Sequence, residues 1–249
     1  MDEIIKKQLQ FIGLKHLSED WELTLKTAKR KQLSYHKFLT DIIEKEYFEK
    51  TERARLSRIK KANIPMHFIM ETFPFDKQPR LKKRVVTELY DSIQFMREKQ
   101  ELIFIGPTGC GKTGLATSFL IHALNQGYRG CFIEFHDLLD QLRTAKGDYN
   151  LSKLLKRLQS YEILLIDEFG YELIEEEIAG AFFELMKKRN SHTTTLLTTQ
   201  LGFEEWGCFL KDKHLTAALL DRITVKCTIF NMKDCISIRP KDIAYATKK

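Results

Sequence analysis

The chain has 249 residues, 43% hydrophobic and 30% charged, which fits one core domain plus a smaller helical piece and excludes a disordered chain. Five scattered cysteines without a CxxC pair, and seven histidines without HxH or HxxxH spacing, argue against a disulfide framework and a zinc site. The net charge of +7 is uneven: residues 1–100 carry 22 Lys+Arg against 15 Asp+Glu, whereas residues 101–249 carry 19 of each. A polyanionic partner for the first part follows from that excess, with a solvated basic surface as the plainer alternative. No run reaches membrane-spanning length, and the N-terminus has no apolar stretch ending in a small-residue cleavage site. The expectation is a cytoplasmic protein without membrane contact.

Residues 1–64 are expected to form a small all-helical, basic N-terminal domain. Ser18 can cap a helix carrying Trp21, Leu23 and Leu25. Ser34 can cap another, in which Tyr35, Phe38, Leu39, Ile42, Ile43 and Tyr47 follow the 3.6-residue period and predict one buried stripe. Next comes ERARLSRIKKANIP, which places Arg53, Arg55, Arg58, Lys60 and Lys61 within nine residues. Residues 65–80 hold Pro65, Pro74 and Pro79 and are expected to be a linker.

Residues 81–249 alternate helix and strand. Helix 81–98 leads to strand 101–105, then to helix 113–126 and strand 130–135. Helical pieces at 136–146 and 150–160 flank Gly147-Asp148. Strand 162–166, helix 175–190, strand 194–199 and strand 225–230 complete the set. Buried apolar strands alternating with helices predict an α/β fold with a five-stranded parallel sheet covered on both faces.

Four motifs carry chemistry. Gly106-Pro107-Thr108-Gly109-Cys110-Gly111-Lys112-Thr113, running on into Gly114, has the spacing of a phosphate-binding loop between a strand and a helix. Its glycines let successive N–H groups face phosphate oxygens, and the helix adds its positive end. Lys112 would neutralise the β/γ-phosphates of ATP, and Thr113 would ligate Mg²⁺. The second motif is ILLIDE, whose Asp167 would hold Mg²⁺ directly or through water and whose Glu168 would take a proton from the attacking water. The acidic Glu175-Glu176-Glu177 suits a helix start. In the third, TLLTTQ, Thr199 or Gln200 would emerge near the γ-phosphate. The fourth holds Arg222, which could reach a neighbouring subunit's ATP; a surface pair with Asp221 or a core-edge arginine is the alternative. Arg239 is open to the same two readings. Phe73 and Phe75 either line an adenine pocket or pin the linker.

The ordered set SYHKFL, IEKEYFEK, RARLSRIKKANIP, IFIGPTGCGKTGLA, HDLLDQL, LLIDEFGYE, LLTTQLGFEEWG, LLDRI and SIRP resembles the IstB-like transposition helper ATPases, relatives of the DnaC-type helicase loaders in the AAA+ superfamily. The resemblance covers about residues 30–240. It implies a AAA+ core with a helical N-terminal domain, ATP between subunits of a homo-oligomer, assembly on duplex DNA and stimulation of a partner transposase. It implies that Lys112 and Thr113 are Walker A residues, Asp167 and Glu168 Walker B, Gln200 sensor 1, Arg222 the arginine finger and Arg239 a later sensor. The helices at about 136–160 resemble an insertion that faces nucleic acid, which would engage Lys146, Lys153, Lys156 and Arg157. Gln200 stands where Asn is usual, and Gly114 where a bulkier residue is usual.

Phosphate contacts would come from Arg53, Arg55, Arg58, Lys60, Lys61, Lys82, Lys83 and Arg84. The alternative is a loader acting on a replicative helicase, which would favour single strands and aromatic platforms; residues 53–61 contain no aromatic. A small-molecule P-loop kinase is the third reading, and the adjacent Asp167-Glu168 pair suits hydrolysis better.

Overall fold

The computed structural model describes residues 1–211 and 213–238. The chain divides into two units, Met1–Ser57 and Arg58–Lys249, and the division falls within a helix. The first unit comprises α1 (Glu3–Ile12), α2 (Lys15–Glu19), α3 (Trp21–Arg30) and most of α4 (Tyr35–Lys61). Asp2 caps α1 by accepting the Ile4 N–H, and Gly13 closes it at φ 85°. Ser34 caps α4, its Oγ accepting the Lys37 N–H at 3.3 Å. Ser18 does not cap α3: it lies buried within the short α2, and Asp20 stands before α3 without a side-chain cap.

The stripe expected to be buried on α4 divides. Phe38 and Ile42 turn to a cavity shared with Leu23, Thr24, Thr27 and Ala28 of α3. Tyr35, Leu39, Ile43 and Tyr47, spaced four apart, are 91%, 58%, 66% and 69% exposed. His16 and Leu17 of α2 line the same cavity, and together α2 and α3 cover only part of so wide an apolar arc.

In the second unit the strands are β1 (Glu101–Ile105), β2 (Gly130–Glu134), β3 (Ile163–Asp167), β4 (Thr194–Thr199) and β5 (Cys227–Asn231). They form one parallel sheet in the order β2-β3-β4-β1-β5. Every residue of β1, β3 and β4 is buried, as strands covered on both faces require, including Glu101, Asp167 and the four threonines of β4. The helices are α5 (Lys83–Ser92), α6 (Gln94–Arg97), α7 (Lys112–Asn125), α8 (Phe135–Gly147), α9 (Leu151–Gln159), α10 (Glu176–Arg189), α11 (Trp206–Leu210) and α12 (Lys213–Thr224). Leu102, Phe104, Leu165 and Leu196 meet Leu115, Phe119 and Leu120 of α7 on one face. Ile103, Leu164, Ile166 and Leu197 meet α8, α9, α10 and α12 on the other. This is the period-2 alternation of a doubly covered sheet. The free edge of β2 is blunted where Phe132 N–H donates to Ala62 O at 2.7 Å.

Boundaries shift locally. The helix expected at 81–98 breaks at Ile93, whose φ of 49° ends α5 and starts α6. Phe135 leaves the strand and opens α8. Glu175 precedes α10, whose first turn holds Glu176 and Glu177. Among the described residues no helix is long and apolar enough to cross a membrane.

Candidate functional site

The loop 106–111 joins β1 to α7 at the carboxyl edge of the sheet, where parallel strands present their ligands. Gly109 and Gly111 take φ of 81° and 96°, in the left-handed region that favours glycine. A Cβ on Gly106 would stand 2.7 Å from Met232 O. Lys112 opens α7, and its ammonium donates to Gly106 O at 2.8 Å and Pro107 O at 2.9 Å. The loop is laced from outside: Gln78 Nε2 donates to Cys110 O at 2.8 Å and to Ile236 O at 3.2 Å, and Ile238 N–H donates to Gly109 O at 2.9 Å. Burial pushes the Cys110 thiol pKa up, so a thiolate is disfavoured there.

Thr113 Oγ1 donates to Asp167 at 3.0 Å (Oδ1) and 3.1 Å (Oδ2). Asp167 is buried and also accepts the Thr198 hydroxyl proton. Burial raises its carboxyl pKa; the Thr198 and Thr113 hydrogen bonds oppose that rise, the charge of Glu168 adds to it and that of Lys112 subtracts. An octahedral Mg²⁺ holds oxygens at about 2.1 Å, so adjacent ligands stand about 3 Å apart. Thr113 Oγ1 and Asp167 Oδ1 match that edge with hard oxygen donors, so the pair fits magnesium. Glu168 follows at φ 57° with its side chain exposed. Glu134, in register with Asp167 at the end of β2, brings a third carboxylate. Burial first, then Asp137, Glu168 and Asp167, pushes the Glu134 carboxyl pKa up.

These groups line a cleft of about 910 Å³, together with Gln200 just past β4, and Met66, Phe68, Phe73 and Ile238. That size suits a nucleotide. Phe73 lines the cleft, whereas Phe75 stacks edge-on against it at 4.8 Å and does not. The glycine at 114 has a steric cause: a Cβ there would stand 2.8 Å from the Phe68 ring. Thr199, offered from sequence as a cleft residue, does border the cleft, but its Oγ1 accepts the Leu201 N–H at 3.1 Å. Thr198, Glu134 and Ile238 were not foreseen. The repeat TT at a strand end does not say which hydroxyl faces Asp167.

Arg222 is not among the residues lining the cleft. Its guanidinium lies 4.8 Å over the Phe183 ring and donates to Ala218 O at 2.7 Å. Arg239 lies outside the described residues. The basic set is scattered over many roles. Arg53, Lys60, Lys61, Lys82, Lys153 and Lys156 are exposed. Arg55 pairs with Glu52 at 2.9 Å, Arg84 with Glu88 at 4.0 Å, and Lys83 stands 5.8 Å over Phe75. Arg58 Nε donates to Leu124 O at 2.9 Å, Arg157 to Gln141 at 2.7 Å, and Lys146 to Glu177 O at 3.1 Å.

The model of the IstB-like ATP binding protein family matches residues 7–244. The Geobacillus stearothermophilus protein named "Insertion sequence IS5376 putative ATP-binding protein" is 34% identical over 233 residues, 94% of this chain and 92% of its own length. The corresponding IS21 protein of Pseudomonas aeruginosa is 33% identical over 225 residues, 90% of this chain and 84% of its own. Among solved structures, AMPPCP-bound DnaA from Aquifex aeolicus aligns with a TM-score of 0.57 at 16% identity, over 69% of this chain; the chain spans about half of that one, 51%. DnaI aligns with a TM-score of 0.53 at 16% identity, over 61% of this chain and 82% of its own. At such identity the likeness concerns the fold alone, a AAA+ type P-loop core.

Proposed function

This chain belongs to the IstB-like ATP-binding protein family and is an ATPase, and from that premise we propose that it is an ATP-gated oligomer that assembles on duplex DNA and stimulates the transposase of an insertion sequence. The observation that carries the reading is the contact of Thr113 with Asp167 at 3.0 Å, with Glu168 next in the chain at the mouth of the cleft. A hydroxyl and a carboxylate poised for a hard cation beside a second carboxylate make a hydrolytic centre. The relatives named for insertion sequences support the transposition setting.

In this reading the N–H groups of residues 108–114 and the Lys112 ammonium bind the β- and γ-phosphates. Thr113 and Asp167 hold Mg²⁺, which when bound neutralises charge on the transferring phosphate. Glu168 accepts the proton of the attacking water, and the Gln200 carboxamide orients that water. Arg222 of a neighbouring subunit steadies the charge that develops. Met66, Phe68 and Phe73 supply apolar surface for the base. The basic excess before residue 101 supports contact with DNA phosphates, so binding is sequence-tolerant and weakens steeply with salt.

The test is retardation of duplex DNA with ATP, with ADP and without nucleotide, at two salt concentrations, alongside ATP hydrolysis with and without DNA. Retardation that requires ATP, falls with salt and accompanies DNA-stimulated hydrolysis supports the reading. Equal retardation in all three nucleotide states removes the gating, and preference for single strands favours a helicase-loader role.

A further inference from the structure

Thr198 stands near the end of β4 and is fully buried. The β3–β4 register runs to Ile166 and Leu197, and just beyond it the Thr198 side chain takes over. Its hydroxyl oxygen accepts the Glu168 N–H at 3.0 Å, and its proton goes to Asp167 Oδ1. Its carbonyl accepts the Phe169 N–H at 2.8 Å. One residue thereby holds three consecutive residues, 167, 168 and 169.

The direction of that hydroxyl is fixed by chemistry. A backbone N–H only donates and a carboxylate only accepts, so the hydroxyl satisfies both by passing its proton to Asp167. Glu168 needs holding, because its φ of 57° lies where a residue with a Cβ is strained. On the far side Phe169 is buried among Phe135, Phe182, Trp206 and Phe209. Between these two anchors the Glu168 side chain stays exposed at the cleft. The other β4 threonines are engaged elsewhere. Thr194 donates to Phe95 O, Thr195 accepts from Arg189, and Thr199 accepts from Leu201.

We propose that Thr198 is the positioning residue of the hydrolytic centre: its hydroxyl locks the Glu168 backbone and the Asp167 carboxylate into one arrangement, and so governs turnover while leaving nucleotide affinity nearly unchanged. A general base must stand within hydrogen-bond reach of its proton, and a small misplacement costs rate far more than it costs binding. The inference rests on the reading of Glu168 as the base.

The experiment compares Thr198→Val, which keeps the branched shape and loses the hydroxyl, with Thr198→Ser, which keeps the hydroxyl. ATP hydrolysis with duplex DNA and binding of a fluorescent ATP analogue are measured for each, and Thr198→Val is also made on Glu168→Gln. Thr198→Val is expected to lose about 10- to 100-fold in kcat with nucleotide affinity within about threefold of the unchanged protein. Thr198→Ser is expected to keep kcat within about threefold, and Thr198→Val to take nothing further from the residual rate of Glu168→Gln. The proposal is overturned if Thr198→Val turns over normally, if Thr198→Ser loses more than about tenfold, or if the two losses multiply in the double variant. The Ser variant decides the matter even where Val prevents folding. Absence of hydrolysis in the unchanged protein, or normal hydrolysis by Glu168→Gln, overturns the underlying reading instead.

Discussion

Glu101 and Arg189 are tied to each other through Thr195: the Glu101 carboxylate accepts its N–H at 2.7 Å, and Arg189 Nε donates to its hydroxyl at 3.2 Å. Both charged residues are buried, and Arg189 also donates to Leu158 O, Tyr161 O and Thr194 O. Burial pushes Glu101 up to about 7, partly offset by the Arg189 charge, and lowers Arg189 to about 10. The fold therefore favours the protonated form of Glu101. Its contribution to stability is present at low pH, is lost as pH rises from about 4.5 to 7, and is level above that. The span amounts to about 3 kcal/mol. Urea denaturation at pH 5 and pH 8 is expected to show this slope, and Glu101→Gln to flatten it. An equal slope in both proteins would falsify the assignment.

Lys112→Ala is expected to weaken nucleotide binding by about tenfold or more, since it removes the ammonium that donates to the loop carbonyls of Gly106 and Pro107. Glu168→Gln is expected to keep binding and lose about 10²- to 10⁴-fold in kcat. Titration with a fluorescent ATP analogue and a phosphate-release assay separate the two. Parallel losses in both assays for Glu168→Gln count against its role as base.

Gly114→Ala drives a methyl into the Phe68 ring, 2.8 Å away. The expected cost is about 1–3 kcal/mol of stability, largely relieved when Phe68→Ala is added. A thermal-melting double-mutant cycle measures the coupling. Additive losses would mean that the cost of the methyl does not arise from the Phe68 ring.

Arg58 and Lys60 are neighbours in sequence with different tasks. Arg58→Gln removes the bond to Leu124 O and is expected to cost about 1–2 kcal/mol of stability while leaving the salt dependence of DNA binding alone. Lys60→Gln, at an exposed position, is expected to leave stability unchanged and to reduce the salt slope by about one. Denaturation and retardation across a salt series check both. A reversed pattern would assign Arg58 to DNA.

Arg222→Ala is expected to abolish hydrolysis with ATP binding retained. If Arg222 acts on a neighbouring subunit, mixing this inactive variant with inactive Lys112→Ala restores part of the activity, because mixed oligomers contain complete sites. No recovery on mixing counts against action in trans.

Much of the core was legible because its signals are local. Apolar runs such as LIFI in β1 and ILLI in β3 announce buried parallel strands, and GPTGCGKT has the spacing of a phosphate loop. What stayed hidden depends on tertiary neighbours. Gly114 looks like a departure until Phe68 is seen against it. Arg58 looks like any basic residue until its Nε meets Leu124 O. Thr198 is indistinguishable from Thr199 before the register beside Asp167 is known. On α4 the apolar period is real, yet period alone cannot say how many helices cover it, and Tyr35 and Tyr47 stay exposed.

Gln78, wholly buried, grips the backbone at Cys110 and at Ile236, partners 32 and 158 positions away along the chain. The stretch around Gln78 cannot peel off without loosening the loop 106–111, and Ile238 is stitched to the same loop at Gly109. Anything that clamps the loop therefore clamps both strips of chain. Protease resistance across residues 65–80 should rise with nucleotide concentration, following the binding isotherm itself.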